Sequence, residues 1–333
     1  SLDIIMKLES LALHHGYQSE ATTKAAAVPI YQTTSYTFDN TQHGADLFDL
    51  KVPGNIYTRI MNPTSDVLEQ RVAAMEGGIA GLALASGMSA ITYAIQCLCE
   101  VGSNIVSTSQ LYGGTYNLFA HTLPKQGIEV RMIDADDYAG FASAIDENTK
   151  AVFCESIGNP AGNVVDLQKL AEIAHQHGVP LMVDNTVASP ILCRPIEHGV
   201  NVVVHSATKW MGGHGVAVGG VIVDGGNFDW QASGRFPELT EPYAPFHGMK
   251  FWEEFGPSAL AMRMRAESMR DLGAAMSPHN AFLILQGVET LELRMKQHVA
   301  NAHELMNWLK ENDAVSWVNH PDLESNETHD VAK

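Results

Sequence analysis

The sequence predicts an α/β protein with a mostly parallel central sheet. Six short apolar runs alternate with other segments along the middle of the chain, and most of these segments are long enough for helices rather than tight turns. Such alternation is typical of parallel strands joined by helices. The predicted strands are Asn104–Ser107, Ile128–Ile133, Ala151–Glu155, Leu181–Asp184, Val202–His205 and Gly220–Val223.

One connecting helix can be predicted in detail, directly before the fourth of these strands. Asp166 is a suitable N-terminal cap, and Gly178 and Pro180 are residues that end helices. Between them, apolar residues recur at helical spacing and form a stripe. The stripe consists of Leu167, Leu170, Ala171 and Ala174.

The parts of the chain that flank the sheet have a different character. Residues 1–63 are rich in Thr, Tyr, Asn and Pro, too polar for a core layer and too aromatic for a disordered tail. We therefore expect this N-terminal segment to pack on a neighbouring subunit. Residues 64–256 form the predicted large domain, and residues 257–333 supply linking helices and the start of a C-terminal domain. Its first strand is predicted at Val315–Val318.

Composition excludes several classes of protein. The 333 residues include 20 Lys and Arg against 38 Asp and Glu, so the net charge is −18. This charge disfavours binding to nucleic acid, which depends on basic surfaces. No apolar run approaches the ~20 residues of a membrane-spanning helix. The four cysteines lack C-x-x-C spacing and the fifteen histidines are scattered, so we expect no metal site and a cytoplasmic location.

The most informative stretch begins at the fifth predicted strand. It reads Val202-Val-Val-His-Ser-Ala-Thr-Lys-Trp-Met-Gly-Gly-His-Gly215. Side chains at the carboxyl end of a strand in an α/β sheet project into the ligand crevice. A desolvated lysine there can act as a nucleophile or form a Schiff base, so Lys209 is a candidate catalytic residue. The alternative is an ordinary surface lysine.

An aspartate ends the fourth predicted strand, in Leu181-Met-Val-Asp-Asn-Thr186. An unpaired carboxylate is costly to bury, so Asp184 is expected to have a cationic partner. A protonated pyridine nitrogen would serve, because pyridoxal phosphate enzymes pair a Schiff-base lysine with such an acid. Taken alone, Asp184 is equally compatible with a helix cap.

A third feature is a turn of small residues, Ala83-Leu-Ala-Ser-Gly-Met-Ser-Ala90, which leads into a helical pattern. Helix N-termini bind anions through free backbone N–H groups. The amides of Gly87 and Met88, together with the hydroxyls of Ser206 and Thr208, are therefore candidates for holding a phosphate. An ordinary capped turn is the alternative. The turn matches neither the dinucleotide-binding nor the P-loop glycine pattern.

Tyr112 lies in Leu111-Tyr-Gly-Gly-Thr115, just after a predicted strand. The flanking glycines would allow a flat ring to approach closely, so this tyrosine is a candidate for stacking on an aromatic cofactor. A role in packing or in an interface is the alternative.

In this order, these features resemble the Cys/Met-metabolism family of pyridoxal phosphate (PLP) enzymes. That family has the fold-type I, aspartate-aminotransferase-like architecture, and the resemblance extends over nearly the whole chain. The motifs that carry it are Tyr57-Thr-Arg-Ile-Met-Asn-Pro63, Ser86-Gly-Met88, Leu111-Tyr-Gly-Gly-Thr115, Gly158-Asn-Pro160, Val183-Asp-Asn-Thr186 and His205-Ser-Ala-Thr-Lys-Trp210.

The resemblance implies roles for individual residues. Lys209 would bind the cofactor as a Schiff base and later carry protons, Asp184 would keep the pyridine nitrogen protonated, and Tyr112 would stack on the ring. The other implied cofactor contacts are Asn159 at the ring hydroxyl and, at the phosphate, Ser86, Gly87, Met88, Ser206 and Thr208, with Tyr57 and Arg59 from a neighbouring subunit. The resemblance therefore implies a homo-oligomer, a dimer of active dimers.

Two segments resemble the O-acetylhomoserine sulfhydrylases within that family: Tyr112–Pro124 and Ala232–Pro242. The implied reaction is PLP-dependent γ-replacement, in which O-acetyl-L-homoserine and sulfide, or methanethiol, give L-homocysteine, or L-methionine, and acetate. Methionine γ-lyase and cystathionine γ-synthase or γ-lyase are the alternatives. Gly114 stands where the methionine γ-lyases typically carry a reactive cysteine, which counts against that alternative.

The resemblance also exposes a departure. Members of the family continue beyond the position of Lys333 into a C-terminal domain, which supplies the arginine that binds the substrate carboxylate. That arginine cannot be assigned in this sequence. We expect the chain to be a truncated or partly recorded version, and the alternative is that the protein binds its substrate differently. An alternative of another class is a catalytically silent PLP-binding or sulfur-relay protein.

Overall fold

A mixed, mostly parallel sheet lies at the centre of the fold. The computed structural model describes residues 6–333, and residues 1–5 of the predicted N-terminal segment lie outside the described residues. Within the described part the sheet has seven strands in the order β1-β7-β6-β5-β4-β2-β3. The strands are β1 (Ala80–Leu84), β2 (Asn104–Thr108), β3 (Glu129–Ile133), β4 (Thr149–Glu155), β5 (Leu181–Asp184), β6 (Val202–Ser206) and β7 (Gly220–Asp224).

All six predicted strands are present, with ends that move by at most two residues. Strands β2 to β6 pair in parallel, as predicted. Strand β7 runs antiparallel to both β6 and β1, so β1 points the same way as the parallel strands. Strand β1 was not predicted, because its sequence Ala-Gly-Leu-Ala-Leu lacks the β-branched and aromatic residues that mark strands.

Helices cover both faces of the sheet, and each face has its own apolar core. Val183 and Val203 point to one core, whereas Met182, Val202 and Val204 point to the other, as expected for strands buried on both sides. The α-helices are α1 (Leu8–His14), α2 (Thr41–Phe48), α3 (Pro63–Glu76), α4 (Gly87–Gln96), α5 (Gly113–Asn117), α6 (Tyr138–Ala144), α7 (Leu167–Gln176), α8 (Ser189–Leu192), α9 (Trp230–Ser233), α10 (Pro237–Thr240), α11 (Phe251–Phe255), α12 (Ala259–Arg263), α13 (Pro278–Glu289), α14 (Leu291–Lys310) and α15 (His329–Ala332).

Shorter or wider helical turns join several of these elements. Two are π-helices, Leu118–Thr122 and Met264–Leu272. The 3₁₀ turns are Leu123–Gln126, Pro195–His198, Ala244–Phe246 and Gly256–Ser258. None of the helices in residues 6–333 combines the length and the apolar character that crossing a membrane requires.

The helix predicted from the apolar stripe is α7. Asp166 caps it by accepting a hydrogen bond from the Lys169 amide at 3.0 Å. The four stripe residues are buried, and the helix ends two residues before Gly178, which has a positive φ of 70°. The cap, the stripe and the stop residue are therefore confirmed.

The N-terminal segment contains regular secondary structure. Helices α1 and α2 lie within it, and α1 packs on α3 and α13 of the same chain. The buried Arg71 of α3 donates a hydrogen bond from Nε to the carbonyl of His15 at 3.0 Å, which fixes the end of α1. Part of this segment thus packs on its own chain, and its packing on a neighbouring subunit remains a prediction.

The strand predicted at Val315–Val318 is wrong. This stretch is irregular, and Trp317 within it is 79% exposed. Pairing partners in the described sheet are absent here, and an isolated strand cannot satisfy its own backbone groups. The prediction of helices before it is correct, since α12, α13 and α14 fill most of the stretch from 257 to 312.

Strand β7 ends in a buried carboxyl group, at the edge of the sheet where the parallel strands begin. Asp224 accepts hydrogen bonds from the amides of Gly226 at 3.0 Å and Ala261 at 3.2 Å. Burial raises the pKa of Asp224 to about 6.

We expect Asp224→Asn to change how stability depends on pH. Because the pKa of Asp224 is higher in the folded than in the unfolded chain, its ionisation lowers the free energy of unfolding as pH rises from about 4 to about 6. A shift of this size corresponds to ~3 kcal/mol, and the variant should lack this loss. Urea unfolding at pH 4 and pH 7 measures it. If the free energies of unfolding of variant and wild type differ by the same amount at both pH values, the prediction is wrong.

Candidate active site

The carboxyl ends of six strands meet at one edge of the sheet, because these strands point the same way. The edge lies beyond the last residues of β1 to β6. In an open α/β sheet this is the edge where ligands bind. Nearly all the residues singled out in the sequence lie at or shortly after these strand ends: Ser86, Gly87, Met88, Tyr112, Asn159, Asp184, Ser206, Thr208 and Lys209.

The N-terminus of α4 forms one side of this site. Ser86 caps the helix by accepting a hydrogen bond from the Ser89 amide at 3.1 Å. Gly87 lies directly against β6, since a Cβ atom at this position would be 2.7 Å from Cβ of Ser206. The amides of Gly87 and Met88, in the first turn of α4, have no partners inside the helix. The predicted grouping of Ser86, Gly87, Met88 and Ser206 is therefore present.

Thr208 differs from the prediction in one respect. Its hydroxyl accepts a hydrogen bond from the Gly219 amide at 3.1 Å and lies 3.2 Å from the Gly219 carbonyl. This hydroxyl therefore already ties the turn after β6 to the start of β7, and it is less free to bind a ligand than the sequence implies.

Lys209 lies on this turn with its side chain exposed. The Lys209 amide donates to the carbonyl of Ser206 at 3.2 Å, and its carbonyl accepts from Gly213 at 2.8 Å. The backbone thus fixes the position of the lysine without using its amine, which is left available for chemistry.

Asp184 ends β5, the strand that pairs with β6. Burial raises the pKa of Asp184. In the described part of the chain no ion pair is formed to Asp184, and His205, which acts to lower its pKa, is bound to Glu76. A partly buried acid without a bound cation, on the strand next to the one that leads to Lys209, fits the expected pairing with a cationic group.

Thr186 holds this carboxylate in place, a role that the sequence did not indicate. Its amide and its hydroxyl both donate to Oδ1 of Asp184, at 3.0 Å and 2.5 Å. The same hydroxyl oxygen accepts a hydrogen bond from the Ser206 amide at 2.8 Å. One side chain therefore couples the end of β5 to the end of β6.

We expect Thr186→Val to weaken binding of PLP, the cofactor that the resemblance implies, about tenfold or more. Valine has nearly the shape of threonine but lacks the hydroxyl, so it removes a hydrogen bond to a charged group, a loss of ~1.5–3 kcal/mol. Thr186→Ser keeps the hydroxyl and is the matched control. Absorbance titration with PLP gives both dissociation constants. Equal values for the two variants would show that the hydroxyl has no part in binding.

Tyr112 and Asn159 lie on two loops that share one anchor. Tyr112 follows β2 and its side chain is 49% exposed, and Asn159 follows β4 and is also exposed. The backbone amides of both residues donate to the carboxylate of Glu155, at 2.6 Å and 3.0 Å. Nothing in the sequence singles out Glu155, because only the folded chain brings the two loops to it.

Tyr57 and Arg59 are not brought to this site by the single chain. They line a separate cavity of about 480 Å³ together with Tyr36, Phe48 and Arg270. The Arg59 guanidinium lies over the Tyr57 ring at 5.2 Å and donates to the Arg270 carbonyl. Their predicted role in a neighbouring subunit remains a prediction.

A larger cavity of about 730 Å³ lies near the N-terminal segment. Its lining includes Tyr17, Leu47, Phe255 and Arg265, but none of the residues predicted for the site. The chemistry-bearing side chains are at the strand ends instead, and we place the candidate active site there.

Comparison with known proteins identifies the family. The sequence model of the Cys/Met metabolism PLP-dependent enzymes matches residues 9–333. The chain belongs to this family. Its cofactor is therefore PLP, and its fold is the one that the sequence predicted.

Individual members of the family are similar over almost the entire chain. A homocysteine synthase from Schizosaccharomyces pombe is 54% identical over 98% of this chain and 76% of its own length. O-acetyl-L-homoserine sulfhydrylase 1 from Thermus thermophilus is 50% identical over 98% of this chain and 78% of its own length.

The fold agrees equally well with a solved structure. A protein from Campylobacter jejuni, assigned as an O-acetylhomoserine (thiol)-lyase and containing N'-pyridoxyl-lysine-5'-monophosphate, superposes with a TM-score of 0.95 at 40% identity. The alignment covers 98% of this chain and 81% of that one.

The residues at the strand ends fit PLP. The α4 N-terminus and Ser206 offer amide and hydroxyl donors suited to a phosphate. Asp184 offers a carboxylate without a bound cation to a pyridine nitrogen, and Lys209 offers an amine. Gly87 has no room for a side chain against Ser206, so the end of α4 and the Ser206 hydroxyl lie close enough to bind the same anion.

Proposed function

We propose that this protein is an O-acetylhomoserine sulfhydrylase. It replaces the acetate group at the γ-carbon of O-acetyl-L-homoserine with sulfide, which gives L-homocysteine and acetate; methanethiol as the sulfur donor would give L-methionine. The observation that carries the proposal is the convergence of Lys209, Asp184 and the α4 N-terminus at one sheet edge. The names of similar proteins select this reaction within the family.

Each residue has a distinct task in this proposal. PLP, when bound, withdraws electrons from the substrate carbons next to the amine. Lys209 removes and returns protons at the α- and β-carbons, while the Asp184 carboxylate holds the proton on the ring nitrogen. Tyr112 stacks on the ring and assists proton transfer at the departing acetate. The amides of Gly87 and Met88 and the Ser206 hydroxyl hold the phosphate, and Asn159 contacts the ring hydroxyl.

The closest alternative is a methionine γ-lyase, which would release 2-oxobutanoate instead of capturing sulfide. The geometry at Gly114 favours the sulfhydrylase. A Cβ atom there would lie 2.6 Å from Cε1 of Tyr112, so a cysteine would require this exposed ring to shift from its present position. With glycine at this position, Tyr112 can adopt an orientation that a cysteine would obstruct.

The proposal also includes a homo-oligomeric assembly and a cytoplasmic location. Tyr57 and Arg59 lie apart from the strand ends of their own chain, which supports a dimer in which they serve the neighbouring site, and a dimer of such dimers. The four cysteines are all free thiols, which supports a reducing, cytoplasmic location.

Product analysis tests the proposed reaction. Purified protein loaded with PLP is given O-acetylhomoserine with and without sulfide, and homocysteine, acetate and 2-oxobutanoate are measured. We expect equal amounts of homocysteine and acetate, formed only with sulfide. Production of 2-oxobutanoate without sulfide would favour the lyase. Absence of both products, in a protein that binds PLP, would favour a catalytically silent PLP-binding protein.

A further inference from the structure

We propose that Glu155 is a positioning residue for PLP, which sets the places of Tyr112 and Asn159 on the two sides of the site by holding their backbone amides. The proposal rests on the proposed function only for the identity of the reaction. What is new is that a single carboxylate holds two loops of the site in place.

The geometry of Glu155 is that of a bridge. It is the last residue of β4 and only 5% exposed. Oε1 accepts the hydrogen bond from the Tyr112 amide at 2.6 Å, and Oε2 accepts the one from the Asn159 amide at 3.0 Å. Each oxygen therefore serves one loop, and neither loop shares its acceptor with the other.

Only a carboxylate can make this bridge in full. Glutamine has the same size, but it offers one carbonyl oxygen and turns an NH₂ group towards the second amide, which is also a donor. Aspartate keeps both acceptors but is one methylene shorter. Glutamine therefore loses one of the two acceptors, whereas aspartate keeps both but changes their reach.

The charge of Glu155 is held without a cation. In residues 6–333 it forms no ion pair, and its direct neighbour across the β4–β5 pairing is another acid, Asp184. Burial and then the charge of Asp184 raise the pKa of Glu155 to about 7, while the two amides act to lower it. The amide donors are therefore what stabilises the ionised form, and in return the ionised form orders both loops.

Glu155 matters for Tyr112 and Asn159 in particular, because the side chains of these two residues are exposed. Packing of their own side chains therefore contributes little to fixing them. The amide that Glu155 binds belongs in each case to the functional residue itself. A shift at either amide therefore moves the side chain that flanks the cofactor.

Hydrogen exchange of the PLP-loaded enzyme, compared between Glu155→Gln and Asp224→Asn, tests the link. Asp224 is a matched control, because it is also a buried carboxylate that accepts two backbone amides, but at the opposite edge of the sheet. We expect Glu155→Gln to speed exchange about tenfold in peptides covering Tyr112 or Asn159. It should also raise the rate of PLP release and lower kcat more than it changes KM, with partial rescue by Glu155→Asp.

The outcomes separate this proposal from its rivals. If Glu155→Gln exchanges hydrogen and releases PLP at the rates of the wild type, the proposal is wrong. The same changes in Asp224→Asn would also overturn it, because they would show a general loss of stability. Faster exchange and PLP release in Glu155→Gln, in an enzyme that forms no homocysteine, would support the bridge and reject the sulfhydrylase activity instead.

Discussion

Lys209→Ala is expected to lower kcat for homocysteine formation by at least ~10³-fold at saturating sulfide and PLP, because it removes the amine that carries protons at the α- and β-carbons. The fold should survive, since the lysine side chain is exposed. The turn that carries it is held by backbone hydrogen bonds to Ser206 and Gly213. Steady-state kinetics measure the loss, and the visible absorbance of bound PLP should change as well.

A surface lysine supplies the control for this experiment. Lys169 in the first turn of α7 is exposed, its Nζ lies 4.1 Å from the centre of the Tyr138 ring, and it is not among the residues assigned to the site. Lys169→Ala should leave kcat unchanged. Added methylamine should restore part of the activity of Lys209→Ala, since a free amine can replace the missing base. Activity within tenfold of wild type in Lys209→Ala would reject the assigned role.

The sequence predicted those parts of the site that are local in the chain. A core strand followed by a polar residue, as at Asp184 and Lys209, identifies the functional edge of a parallel sheet without knowledge of the strand order. The turn that leads into α4 is similarly local, because its small residues and the start of the helical pattern lie within Ala83–Ala90. Such features depend on neighbouring residues, so the sequence was sufficient to find them.

Contacts between distant segments could not be predicted in the same way. Glu155 is 43 residues from Tyr112, and Thr186 is 20 residues from Ser206. Many strands end in an acid or are followed by a threonine, so neither residue type is informative by itself. Only the register of the strands shows which groups these side chains bind. Strand β1 was not predicted for a related reason. It is a strand because it pairs with β7, and its own residues do not favour a strand.

Asp184→Asn is expected to raise the PLP dissociation constant and lower kcat, each by about 10²- to 10³-fold. Asparagine keeps the size of the side chain and can still accept the hydrogen bonds from Thr186. It loses the negative charge, and removing one partner of a buried charged pair costs ~3–5 kcal/mol. PLP titration and steady-state kinetics measure the two effects.

The direction of the pKa shift at Asp184 gives this prediction a second readout. Burial raises the pKa of Asp184, so in the cofactor-free protein this acid keeps its proton to a higher pH than usual. PLP binding that depends on the ionised carboxylate must therefore strengthen as pH rises through that raised pKa. Asp184→Asn should lose this dependence, whereas Asp224→Asn, altered at the opposite edge of the sheet, should retain it. Equal pH dependence in wild type and Asp184→Asn would show that another group pairs with the cofactor nitrogen.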